Sequence, residues 1–205
     1  MAFYRDRVFL PVMNRVMDDD EHRRIRSSVC APLTGEVVEI GFGTGLNLPH
    51  LPAAVTRLYA VDPMERGRLK AAERVAVSPV AVDFVGLDGQ SLPLADESVD
   101  AALSTWTLCS VPDQLAAVRE LRRVLRPGGT LHFAEHGLSP DSAVQTWQRR
   151  LNGLQGRLAC GCHLTRDMPS VIEAGGFDID RLQTFYAKGQ PKVLGWTFQG
   201  VAKRP

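Results

Sequence analysis

The strand-like run Val37-Val38-Glu39-Ile40 breaks into Gly41-Phe42-Gly43-Thr44-Gly45, and a helical pattern follows. Glycine is required where a chain turns sharply and its backbone must approach a bound nucleotide with no Cβ in the way. Asp62 closes the next strand-like run, roughly 20 residues downstream, the distance at which a carboxylate can take a ribose diol. The glycine spacing is Gly-x-Gly-x-Gly, without the third glycine of a dinucleotide fingerprint, and Glu39 stands immediately before the turn. A pyrophosphate would be repelled by that carboxylate, whereas an ammonium group would be attracted, directly or through water.

These residues favour S-adenosylmethionine over NAD as ligand. Taken singly, each also has a structural explanation: Gly41 and Gly43 as a tight turn, Asp62 as a helix N-cap, Asp88 as a turn former. Their common order and spacing argue for a site.

The elements that must position them alternate. Strand-like runs at Glu36 to Ile40, Arg57 to Val61, Val80 to Val85, Val99 to Ser104 and Thr130 to Glu135 are separated by helical patterns, including Met64 to Ala76 and Gln114 to Leu125. That alternation predicts a parallel sheet with crossover helices. Several strands are continuously apolar, as strands buried on both faces must be. Arg126-Pro127-Gly128-Gly129 stops the second helix, since proline cannot continue it and glycine permits the turn. Helices are expected at Ser142 to Leu154 and Arg166 to Ala174, then strands at Phe177 to Tyr186 and Val193 to Ala202, closing as an antiparallel hairpin with no helix between them. Ahead of the sheet, Phe3 to Met17 and Asp20 to Cys30 read as two amphipathic helices placed to cap the site. Residues 1–33 are thus read as a helical cap and 34–205 as the α/β core of one domain.

Composition excludes several classes. Lys plus Arg number 24 against 23 Asp plus Glu, a net charge of +1 with both signs interspersed, so no nucleic-acid footprint is present. The run Arg119-Glu120-Leu121-Arg122-Arg123 sits at helical spacing and reads as a solvated helix face. No apolar run approaches the ~20 residues that span a bilayer, and Met1 to Arg7 carries charges where a signal peptide needs apolar residues. A cytoplasmic protein without stable membrane insertion is expected, its oligomeric state undetermined. The four cysteines, Cys30, Cys109, Cys160 and Cys162, are too few for a disulfide framework. Cys160-Gly161-Cys162-His163 has a metal-like look, but zinc spacing calls for wider pairs and a second pair, so no metal is predicted.

From Glu36 to the C-terminus the sequence resembles the class I S-adenosylmethionine-dependent methyltransferases. The resemblance rests on the glycine turn, on Asp62, on Val85-Gly86-Leu87-Asp88-Gly89-Gln90-Ser91-Leu92-Pro93 and on Arg126-Pro127-Gly128-Gly129. It implies a Rossmann-like, doubly wound α/β sheet of seven strands in the order 3-2-1-4-5-7-6, with the last strand antiparallel. It also implies Glu39, Gly41, Gly43 and Asn47 at the methionine end, Asp62 on the ribose, and Pro63 and Met64 beside the adenine. Asp88 would accept from the adenine amine, Gly89 and Gln90 would add backbone contacts, and Thr105 and Leu108 would complete the cofactor shell. S-adenosylhomocysteine is the implied product.

Methyl transfer is an in-line displacement in which the protein chiefly positions the acceptor and excludes water. A base is helpful for a thiol or hydroxyl, and His136, at the C-terminal end of the fifth strand, is the leading candidate. His163 follows, then His50 and His22, with His132 read as a strand residue. Trp106, Leu108, Trp147 and Phe185 are candidates for an acceptor pocket. Thr107-Leu108-Cys109-Ser110-Val111, Glu135-His136 and Gly161-Cys162-His163-Leu164-Thr165-Arg166 further resemble the methyltransferase-like 7 group of alkyl thiol methyltransferases and its bacterial relatives. That resemblance implies small thiols as acceptors, with oxygen or nitrogen acceptors next. Two departures stand out: no N-terminal hydrophobic anchor, and Gly41-Phe42-Gly43 where Gly-Cys-Gly is common. The alternatives are an NAD(P)-dependent oxidoreductase, disfavoured by Glu39, and an S-adenosylmethionine-binding protein without turnover.

Overall fold

The computed structural model describes residues 7 and 9–205. Its elements, in chain order, are α1 (Leu10–Val16), α2 (Asp20–Cys30), β1 (Gly35–Ile40), β2 (Val55–Val61), α3 (Glu65–Val77), β3 (Ala81–Gly86), β4 (Val99–Thr105), α4 (Gln114–Val124), β5 (Leu125–His136), α5 (Ser142–Leu158), α6 (Met168–Ala174), β6 (Asp178–Tyr186), α7 (Lys192–Gly195) and β7 (Trp196–Lys203). The seven strands form one sheet in the order β3-β2-β1-β4-β5-β7-β6. β1 to β5 run parallel, and β7 is antiparallel to both β5 and β6. The doubly wound order expected from the sequence is the one observed.

β1 lies inside the sheet, between β2 and β4, and both its faces are apolar. Val38 and Ile40 point into one core, with α4 residues Val118 and Leu121 and α6 residues Met168 and Ile172. Val37 points into the other, with α2 residues Ile25 and Val29 and with Ala71 of α3. Adjacent strand residues therefore serve opposite layers, and the result is helices on both faces of the sheet. On α4 the buried positions are Ala117, Val118, Leu121 and Val124, a stripe at helical period, and Asp113 caps its start by accepting from Ala116 N at 2.9 Å.

Four local expectations need correction. The chain does not enter a helix after the glycine turn; it makes a single 3-10 turn, Leu48–His50, with Pro49 inside it. Arg126-Pro127-Gly128-Gly129 belongs to an irregular start of β5, its register slipping between the Val99↔Leu125 and Ala101↔Thr130 pairs. Gly128 takes φ +76° there, and the C-terminal Arg204 pairs with this stretch through Gly128 N to Arg204 O and Arg204 N to Gly129 O. The β6–β7 connection contains one helical turn, α7, opened by Pro191. Of the first amphipathic segment, Leu10–Val16 is helical, and residues 1–6 and 8 lie outside the described residues. Among the described residues no helix is long and apolar enough to cross a membrane.

Leu121 is fully buried between α4 and the sheet. Leu121→Ala is expected to lower unfolding free energy by ~2 to 5 kcal/mol, measured by denaturant titration, because the cavity left in a two-sided sheet layer cannot collapse.

Candidate active site

A cavity of about 680 Å³ opens at the C-terminal ends of β1, β2 and β4. That is where ligands of open α/β sheets bind, outside the strand ends where the order reverses. Its lining includes Glu39, Gly41, Gly43, Asn47, Asp62, Pro63, Met64, Asp88, Gly89, Gln90 and Thr105, eleven of the sequence-predicted cofactor residues.

Glu39 ends β1 inside the protein, fully buried. Its Oε1 accepts from Asn47 Nδ2 at 2.7 Å, and Asn47 Nδ2 also lies 3.0 Å from Thr105 Oγ1. Arg26, reaching in from α2, donates through Nη1 to Asn47 Oδ1 at 2.8 Å and Thr105 Oγ1 at 3.0 Å. Its guanidinium also stacks on the Trp106 ring, 4.7 Å from the centroid. Two buried atoms of this network have no partner among the described residues, Glu39 Oε2 and Arg26 Nε. Burial pushes the Glu39 carboxyl up to about 7, against the downward pull of Asn47 and Arg26. Burial likewise lowers Arg26 to about 10, with Glu39 acting the other way.

The glycine turn needs its glycines. Gly41 adopts φ +76°, and a Cβ there would sit 1.7 Å from Thr107 Oγ1. Gly67, on the first turn of α3, is equally constrained, because its Cβ would lie 2.6 Å from the Gly43 carbonyl oxygen. Asp62 fastens this turn to β2: its Oδ2 accepts from Gly43 N and its Oδ1 from Met64 N, each at 2.7 Å. Asp88 accepts from Gln90 N at 2.8 Å, which fixes the next loop, and its carboxyl lies below the usual range because of those bonds to Gln90.

The opposite wall is built by the loop after β4. Trp106 sits in the left-handed region at φ +50°, costly for a bulky residue. It is held there by its own N–H, which donates to Ala134 O at 2.8 Å, and by the segment that follows. The Glu135 carboxylate, fully buried, accepts from Ser104 Oγ at 2.7 Å and from the backbone N–H groups of Thr107, Leu108 and Cys109 at 3.1 Å each. Phe9, Leu10, Met13, Asn14 and Met17 close the cavity from the α1 side, and Thr44 Oγ1 bonds Asn14 Oδ1 at 2.5 Å.

Several predicted residues lie elsewhere. Leu108 is fully buried in the core, with its carbonyl accepting from Arg166 Nη1, and is absent from the cavity wall. Trp147 is exposed on α5 beneath Arg150, and Phe185 packs beside Arg24, so of the proposed acceptor aromatics Trp106 alone lines the cavity. Among the described residues no histidine lines it. His136 turns Nδ1 towards Cys162 Sγ at 3.8 Å, and its ring centroid lies 6.3 Å from that of Trp106. His163 is 3.0 Å from Asn152, His50 is 2.8 Å from Ser27, and His22 packs edge-on to Trp106 and bonds Asp19. His132 lies buried in β5, its pKa lowered to about 4 by burial. Arg26, Glu135 and Gly67 were not found from sequence. Glu135, an acid at the end of the mostly apolar buried run of β5, carried the one available signal, whereas Arg26 lies on an amphipathic helix where charge is ordinary.

Comparison with known proteins identifies the family. A family model described as "Methyltransferase domain" matches residues 38–133. The human thiol S-methyltransferase TMT1B is 32% identical over 206 aligned residues, covering 92% of this chain and 78% of the relative. This chain belongs to the class I S-adenosylmethionine-dependent methyltransferases. A second methyltransferase relative, human thiol S-methyltransferase TMT1A, is 33% identical, but the alignment spans 74% of this chain and 63% of that protein. The chain therefore covers slightly less than two thirds of that relative's length. Among solved structures, a methyltransferase from Thermotoga maritima described as a possible histamine N-methyltransferase superposes with a TM-score of 0.72 at 21% identity, covering 100% of this chain and 99% of that one. The N-methyltransferase NodS from Bradyrhizobium japonicum, in complex with S-adenosyl-L-homocysteine, gives 0.68 at 19% identity, covering 93% and 91%. At these identities the structural neighbours establish the methyltransferase fold. The enzyme's cofactor is S-adenosylmethionine, and the unpartnered Glu39 Oε2 and Arg26 Nε suit the ammonium and carboxylate of its amino-acid end.

The folded protein keeps a proton on Glu39 up to about pH 7, whereas the unfolded chain releases it near 4.5. Between these values the folded state binds more protons, so this group's contribution to stability is lost as pH rises through the window, by at most about 3 kcal/mol. Without ligand, Glu39→Gln is expected to gain stability relative to wild type as pH rises from about 5 to 7.5, and parallel melting curves measure it. A constant difference would show that Glu39 does not titrate in this range.

Proposed function

We propose that this methyltransferase acts on the sulfur of a small thiol bound beside Trp106 in the cavity. The observation carrying the reading is a single cavity that joins a half-satisfied ionic cradle to apolar walls, Leu10, Met13, Met17, Trp106 and Val111 among them. When bound, S-adenosylmethionine supplies a methyl carbon on a positively charged sulfur and leaves as S-adenosylhomocysteine, so no protein nucleophile is needed.

In this reading Glu39 Oε2 takes the cofactor's ammonium, Arg26 Nε its carboxylate, and Asn47 with Thr105 keeps the two apart in fixed orientation. Asp62 takes the ribose hydroxyls, Pro63 and Met64 flank the adenine, and Asp88 with Gly89 and Gln90 contacts its polar edge. Gly41 and Gly43 let the backbone approach. α1 keeps water from the reacting atoms.

Similarity to thiol S-methyltransferases across 92% of the chain supports a thiol acceptor. So does the chemistry of the wall. With no histidine among the described residues of that wall, an acceptor ionises without help from an imidazole, and a thiol of pKa about 8.5 does so far more readily than a phenol of about 10.

A screen with labelled S-adenosylmethionine against thiols, phenols and amines tests the acceptor: methylation of thiols is expected, and activity confined to phenols or amines would reject the proposal. With a thiol of ordinary pKa, kcat/KM is expected to rise about tenfold per pH unit below that pKa and to level above it, with His136→Gln following the same curve. Asp62→Ala should weaken S-adenosylhomocysteine binding by ~1.5 to 3 kcal/mol in calorimetry, since it loses a charged acceptor and also frees the glycine turn.

A further inference from the structure

Cys109, His136 and Cys162 come from three distant segments: the loop after β4, the last residue of β5 and the loop after α5. Their ligand atoms all lie within 4.8 Å of one another. Cys162 Sγ is 3.7 Å from Cys109 Sγ and 3.8 Å from His136 Nδ1. Cys109 is fully buried, Cys162 nearly so, and His136 partly. A disulfide requires about 2.05 Å between sulfurs, so this is a pair of thiols.

Tetrahedral zinc, with zinc–sulfur bonds near 2.3 Å and zinc–nitrogen bonds near 2.0 Å, spaces two thiolate sulfurs by about 3.8 Å and a sulfur and an imidazole nitrogen by roughly 3.5 Å. The Cys162–Cys109 and Cys162–His136 edges of this triangle are already close to those values. Two thiol ligands in contact would be ordinary by themselves. It is the imidazole at the third corner, presenting Nδ1, that makes the group a ligand set. Two thiolates and a neutral imidazole also cancel the charge of a divalent ion, which spares the buried site an uncompensated charge.

We propose that Cys109 Sγ, Cys162 Sγ and His136 Nδ1 bind one divalent ion of the zinc class, leaving a fourth position to solvent or a small ligand. Three protein ligands of this composition with an open fourth place are a known zinc arrangement. The surrounding groups hold the ligands in place: Cys109 N–H donates to Glu135 Oε2 at 3.1 Å, and Cys109 O accepts from His163 N at 2.9 Å. Glu135 and Arg166, the charged groups facing the cluster, are of opposite sign. In sequence the neighbours of Cys162 are Cys160 and His163, a run whose spacing argues against a metal site. The structure instead places Cys160 on the cavity wall and His163 against Asn152, and brings Cys109 and His136 to Cys162. Ser110 and Gly161, each adjacent to a cysteine ligand, line the cavity, so an ion here would tie together two parts of its wall.

The site stands independently of the acceptor assignment. Reduced, chelator-treated enzyme is titrated anaerobically with Co(II), followed by absorption, then challenged with Zn(II). One equivalent per chain, with thiolate-to-metal charge-transfer bands and the visible spectrum of a tetrahedral ion, is expected, and Zn(II) should abolish both. Cys109→Ser, Cys162→Ser and His136→Gln should each weaken Co(II) binding by more than the roughly 100-fold that loss of an outer-shell partner costs. Cys160→Ser should bind as wild type does. Retained S-adenosylhomocysteine binding shows that a variant is folded. Wild-type protein lacking charge-transfer bands at saturating Co(II) would overturn the proposal, as would bands that persist in folded Cys109→Ser and Cys162→Ser. The wild-type spectrum decides the matter even where a variant fails to fold.

Discussion

The carboxylate of Glu39 is wholly enclosed by the protein, yet the described residues supply a hydrogen-bond donor to only one of its oxygens. Across Asn47 lies Arg26, also buried and also short of a partner. Enclosing two charged groups costs several kcal/mol each in desolvation, and their mutual attraction repays it only when every lone pair and proton is met. Here the folded chain stops short of that condition. It spends stability to keep an acceptor and a donor aimed into the cavity, and the upward shift of the Glu39 pKa to about 7 records the strain in electrostatic form. The elements around the cavity follow from this constraint. β1 must deliver Glu39 at its buried end, α2 must pack closely enough to send Arg26 across, and the 3-10 turn must place Asn47 between them.

Glu135, on β5 with β4 between it and β1, is the counter-example. It is as deeply buried, but one hydroxyl and three consecutive backbone N–H groups saturate it. Its role is constructive. By gathering the amides of Thr107, Leu108 and Cys109, it sets the path of the loop after β4 and supports the left-handed backbone of Trp106. One buried acid thus shapes the wall, and the other is left open to a ligand. Their hydrogen-bond partners distinguish the two roles, while their burial does not.

The sheet was legible in the sequence because doubly buried strands have few alternatives to continuous apolar runs, and the glycine turn because backbone geometry admits little else. Glu39, Asp62 and Asp88 were legible for the same reason: each sits at a fixed offset from a strand end. Arg26 was not, since a charged residue on an amphipathic helix looks the same whether it snorkels to water or crosses a core. Leu108 was misplaced for a related reason. It flanks the site in sequence, but its backbone bonds to Glu135 and Arg166 turn the side chain into the core. The companions of Cys162 were hidden because proximity there is made by three loops, and linear spacing carries no record of it.

α1 is seven residues long, well below the length at which a helix holds together in water by itself. Its order depends on what its inner face touches: Leu10, Met13, Asn14 and Met17 all border the cavity. A ligand filling that volume gives those side chains a surface to rest on, and by thermodynamic reciprocity the helix adds to the ligand's hold. Binding and the ordering of this short segment are therefore coupled equilibria. Exchange of spent cofactor for fresh then carries the free-energy cost of parting that helix from the cavity, a step that can limit turnover however fast the methyl moves.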